Sequence, residues 1–118
     1  MLIITKDDLF KIDSISMIKT TPPNSIVLFN YDLEFLKYCY KNKVGFAVEV
    51  KSLKEAIFAN HFEANYILTN KNLAKKIQNI ANEYLFDSKI LVKATFEWEI
   101  EVFAQDGIDG VFLNYNPF

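Results

Sequence analysis

Five short apolar runs in this chain end on polar side chains, and those endings are where chemistry would sit. Asn30, Tyr31 and Asp32 follow "SIVLF", and Lys51 follows "GFAVEV". Asn70 and Lys71 follow "NYILT", Lys93 and Thr95 close "KILVKA", and Asn114 and Asn116 follow "GVFL". Amides and hydroxyls orient a ligand by hydrogen bonding, but they do not take protons as a general base does, and one aspartate is not the carboxylate pair that a hard cation needs. Asp32 also stands where a helix needs an N-cap, which accounts for it with no metal. Lys93 is the one candidate nucleophile. A desolvated amine forms a Schiff base, whereas a strand-end lysine with its ammonium in water is the commoner arrangement.

The other reactive side chains stand alone. His61 has no second His or Cys to share a metal, and at a helix end it reads as a cap or surface contact. Cys39 is the single cysteine, set in the helix-like "EFLKYCYKNK", where a small buried thiol is the ordinary reading and an internal disulfide is impossible. Phosphate-cradling glycine loops, the G-x-S-x-G elbow and H-E-x-x-H are absent, and the three glycines stand at 45, 107 and 110. The expectation is therefore no metal and no cofactor.

All 13 basic residues are lysines. Without the planar arginine fork, and with a net charge of −2, nucleic-acid binding is not expected, and the basic stretch "KNLAKK" reads as a solvated helix face. No apolar run reaches the length of a membrane span, and charges at Lys6, Asp7 and Asp8 come too early for a secretory signal, so a cytoplasmic location without membrane contact is expected. With 118 residues, 51% of them hydrophobic, the chain suits one domain with one core.

The five runs span residues 25–29, 45–50, 65–69, 89–94 and 110–113, each of strand length and bounded by turn formers. Segments of helical period separate them. Asp32 opens "LEFLKYCYKN"; Ser52, with Glu55 three residues on, makes a capping-box start for "LKEAIFANHF"; Leu73, Ile77 and Ile80 share a face; and Phe96, Ile100 and Phe103 are spaced alike. Strict alternation of strand and helix predicts a parallel α/β sheet. Residues 1–24 read as an extension packing on a 25–118 core: "LIIT" as an edge strand, "KDDLFKI" as a short helix capped by Thr5, "SISMIK" as a strand or extended segment, then a joint at Pro22 and Pro23.

From Ser25 onward the order of elements resembles a response-regulator receiver domain. "IVLFNYDLEFLKYCYKNKVGFAVEVKSLKEAI" is similar to that family's first strand, first helix, second strand and second-helix opening; "NYILTN" resembles the strand leading to the phosphoacceptor; and the segment from "KILVKA" to "NYNPF" resembles its closing units. The resemblance implies a flavodoxin-like five-stranded sheet with helices on both faces. It also places Asn30 and Tyr31 where receivers hold Mg²⁺ with acids, Asn70 at the phosphoacceptor, Ala94 at the Thr/Ser position with Thr95 displaced by one, and Asn116 at the lysine. What it implies is a pseudo-receiver: a non-catalytic interaction or regulatory module, not phosphorylated, that binds a protein partner or self-associates. The alternative is a half (β/α) barrel, because "VEVKSLKEAI" and "DGIDGVFL" also look like barrel units. In that fold Lys93 would carry lyase-like reactivity, or the strand ends would hold an anion or small molecule.

Overall fold

The computed structural model describes residues 1–118. Apolar β-branched and aromatic residues bounded by turns form the strands β1 (Leu2–Thr5), β2 (Phe10–Lys11), β3 (Val27–Asn30), β4 (Phe46–Glu49), β5 (Tyr66–Thr69), β6 (Lys89–Ala94) and β7 (Gly110–Leu113). The helices are α1 (Ile15–Ile18), α2 (Leu33–Asn42), α3 (Leu53–His61), α4 (Lys71–Glu83) and α5 (Trp98–Gln105). None is long and apolar enough to cross a membrane.

All neighbouring strands are parallel, and the order across the sheet is β1-β7-β6-β5-β4-β3-β2. From β3 to β7 the chain never reverses direction across the sheet. Right-handed crossovers between sequential parallel strands then put every helix on the same face. Side-chain packing bears this out. Leu36, Cys39, Ala59, Ile77 and Phe103 from the helices join Val27, Val48, Ile67, Val92 and Val111 in one core of 23 buried residues. The other face buries a second, smaller cluster of Leu9, Ala47, Leu68, Leu91 and Phe112, to which no helix contributes.

The sheet is curled, and the chain itself imposes the curl. β1 and β2 lie on opposite edges, yet only Lys6–Leu9 connect them. Five extended Cα steps reach at most about 18 Å, whereas the edges of a flat seven-stranded sheet would lie about 29 Å apart. The connection is shorter still, because Lys6–Asp8 form a 3₁₀ turn capped by Thr5, whose amide donates to Asp8 Oδ2 (2.8 Å). Leu9, 7% exposed, is drawn into the concave face by this span. The result is a half (β/α) barrel.

This corrects the flavodoxin-like expectation in two respects: the sheet has seven strands, not five, and its helices cover one face, not both. An apolar βα pattern specifies each unit, but the sense in which successive units are laid down is set by long-range pairing. Residues 1–24 supply both edge strands and α1. "SISMIK" contains a helical turn in place of a strand, and "KDDLFKI" holds one 3₁₀ turn followed by β2. Phe96, expected on the buried face with Ile100 and Phe103, lies before α5 begins and is 55% exposed.

Candidate functional site

The carboxyl ends of β2 to β7 converge on a cavity of about 580 Å³ at the mouth of the half-barrel. Successive strand residues alternate between faces, so a step of two moves along the concave side. That step runs from Leu28 to Asn30, from Ala47 to Glu49, from Leu91 to Lys93 and from Phe112 to Asn114. Each strand thereby passes from an apolar floor to a polar rim. Lys11 and Asp13 at the end of β2, and Tyr31, Asp32 and Thr95 in the following loops, complete the lining.

At the centre, Lys93 Nζ donates to Glu49 Oε2 at 2.9 Å, across the intervening strand β5. The two side chains are 43% and 28% exposed. A pair this accessible contributes about 0–1 kcal/mol to stability. Each makes only this one side-chain bond, so two N–H donors on Lys93 and Oε1 on Glu49 are left without a protein partner in residues that line the cavity. The side chains of Lys11, Asp13, Asn30, Thr95 and Asn114 likewise bond to no protein group, and all are reached by solvent. An amine nucleophile at Lys93 would first have to leave the Glu49 carboxylate and lose its proton.

The helix N-termini around the mouth are closed by their own caps. Asp32 accepts from Glu34 N (2.9 Å) and Phe35 N (3.3 Å), and Asn70 accepts from Leu73 N (3.0 Å). Ser52 accepts from Glu55 N (3.2 Å), while the Glu55 carboxylate reaches Lys51 N (2.9 Å), one residue before the position that the capping-box spacing predicts. Glu99, 3% exposed, accepts from Thr95 N and Phe96 N (both 2.9 Å) and pairs with Lys71. The Lys71 hydrogen bond, ahead of the two backbone bonds, holds the Glu99 carboxyl below its ordinary value against the opposing effect of burial. An anion at these helix ends would have to displace an amide, hydroxyl or carboxylate already seated there.

Of the residues singled out in the sequence, Asn30, Tyr31, Asp32, Lys93, Thr95 and Asn114 line the mouth. Asn70 does not. It caps α4, and β4 separates β5 from β3, so Asn30 and Asn70 are not on neighbouring strands. Asn116 also lies outside the mouth, donating to Asp7 Oδ2 (2.8 Å) and accepting from Phe118 N (2.9 Å). Burial, and secondly the Glu55 charge, raise the Tyr31 phenol above its ordinary value. Burial pushes the Cys39 thiol up to about 11, the condition of an inert core cysteine.

Sequence reasoning missed Lys11, Asp13, Glu49 and Glu99. Glu49 had a signal: it is a carboxylate inside the apolar "GFAVEV", as Lys93 is an ammonium inside "KILVKA", and a charge within each of two such strands calls for a partner. β2 is two residues long and gave no periodicity to read. A scan with protein-family models matches nothing in this chain, and no curated protein matches it.

Proposed function

We propose that this half-barrel is a non-catalytic binding protein for a small polar molecule, taken at the mouth formed by the strand carboxyl ends. The observation that carries the reading is the convergence of free donors and acceptors from five different strands over an apolar floor of Leu28, Leu68 and Phe112. The cavity volume falls within the range of small-molecule sites, and in open parallel sheets ligands sit outside the carboxyl ends. The capped helix ends and the glycine-free loops favour ligands held by side chains over phosphate esters held by backbone amides. Amide NMR mapping tests this: a panel of amino acids, carboxylates, polyols and amines at millimolar concentration is expected to contain a compound that shifts residues 30–32, 49, 93–95 and 114. Shifts confined to other regions, or none, would overturn it.

A second reading, a regulatory module that binds a protein partner or self-associates, draws on a different surface. Phe96 and Trp98 are 55% and 65% exposed with near-parallel rings 6.2 Å apart, and Glu97 between them lines a groove with Ile3, Ile100, Leu113 and Phe118. Exposed aromatic clusters of this kind favour interaction sites. Sedimentation over about 10–200 µM, the range of weak dimers, separates monomer from self-association, and Trp98→Ala is expected to weaken any association found. The pseudo-receiver form of this reading also expects unchanged mass after incubation with a small phosphoryl donor and Mg²⁺. Covalent phosphorylation would end it.

A further inference from the structure

We infer that the ligand of this mouth is a zwitterion, of the class of α-amino acids with an apolar side chain, bound alongside the Glu49–Lys93 pair. The inference rests on the binding reading above and specifies its ligand. Nζ of Lys93 and Oε2 of Glu49 are 2.9 Å apart, both residues line the cavity, and each group keeps unused hydrogen-bonding capacity. A carboxylate approaching Lys93 necessarily comes close to the Glu49 carboxylate, and an ammonium approaching Glu49 comes close to Lys93. A singly charged ligand therefore gains one attraction and meets one repulsion of similar size. A molecule carrying both charges across one carbon satisfies each end: its carboxylate accepts from Lys93, its ammonium donates to Glu49 Oε1, and the pair beneath need not open.

The surroundings point the same way. Lys11 and Asp13 bring a second pair of opposite signs from the end of β2, so the rim is mixed and not a single-sign funnel. Beneath the ion pair, Leu28, Leu68 and Phe112 form the apolar floor that an aliphatic or aromatic side chain would cover. The class of ligand follows from charge pattern and floor together.

NMR titration at pH 7 with leucine, with 4-methylpentanoate (the same skeleton lacking the amine) and with isopentylamine (lacking the carboxylate) tests this. Leucine is expected to bind at least about tenfold more tightly than either analogue, a difference of ~1.4 kcal/mol. Lys93→Met is expected to remove that advantage and favour the amine, and Glu49→Gln to favour the carboxylate. A merely structural ion pair would not invert charge preference in opposite directions. Equal binding of leucine and 4-methylpentanoate, or an unchanged order of preference in both variants, overturns the zwitterion while leaving the mouth as a binding site. Binding of polyols in place of all three does the same. Failure of every compound to shift the mouth residues overturns both readings.

Discussion

The two ends of the strands are built from similar side chains put to opposite use. At the amino ends, polar groups are tied to the backbone: Asn65 Oδ1 accepts from Phe46 N (3.0 Å), Asp109 Oδ2 from Ile90 N (2.9 Å), Gln78 Oε1 from Asp109 N (2.9 Å) and Asn60 Oδ1 from Ser88 N (3.2 Å), while Ser88 Oγ donates to Ala64 O (2.6 Å). At the carboxyl ends, Asn30, Thr95 and Asn114 leave their side chains unbonded. Asn65 is scaffold while Asn30 and Asn114 are free for recognition, and what separates them is whether a backbone amide has claimed the side chain, as one has claimed Asn70 at the carboxyl end of β5. A buried backbone group must find a partner, whereas a solvated side chain without one keeps its capacity for a ligand.

The comparison breaks most visibly if the amino end is disarmed. Asn65→Ala combined with Asp109→Ala leaves two strand amides without acceptors and is expected to lower stability by about 2–5 kcal/mol in urea unfolding. Gly110→Ala acts at the same end. A Cβ there would lie 2.7 Å from the Leu2 carbonyl oxygen and 2.8 Å from Leu91 Cδ2, so β1 must shift, at a cost of about 1–3 kcal/mol seen as a lower Tm. A smaller loss for Gly110→Ala would mean that β1 rides loosely on β7.

With the helix caps Asp32, Ser52 and Asn70, Glu99 is an engaged side chain close to the open rim, and it is the most buried of them. Its folded pKa lies below the ordinary 4.5, so its contribution to stability is present above the unfolded value and is lost as pH falls through the folded one. Glu99→Gln is expected to flatten that acid limb in unfolding curves taken from about pH 6 down to about pH 3, across the carboxylate range. The smallest effects belong to the mouth. Asn30→Ala, Thr95→Ala and Asn114→Ala are each expected to change stability by no more than ~0.5 kcal/mol while weakening ligand binding. Large destabilisation by any of the three would make the rim structural.

The units of this fold were legible, and their arrangement was not. Strands from Val27 to Leu113 and the caps Asp32 and Ser52 follow from local rules, since a cap reads only the next three residues, whereas Asn70, read as a site residue, proves to be the cap of α4. Whether β3 lies beside β5 or is parted from it by β4 depends on pairings dozens of residues apart, and the apolar pattern is the same either way. That difference moved Asn70 out of the site. It also brought in Glu49, which the receiver comparison had no reason to mark. Lys93 was found because its own strand pointed to it; Lys11 and Asp13 come from a strand too short to declare itself.

The pairing of β1 with β7, Leu2 against Gly110, has a consequence for how the molecule assembles. During synthesis β1 emerges well before its neighbour and must wait until Gly110–Leu113 have followed before it can dock. Residues 27–94 can zip successively, each strand onto its predecessor, and the seam formed by β1, Lys6–Leu9 and β7 closes last. Amide exchange in refolding chains should therefore protect β4 and β5 early and β1 at the end.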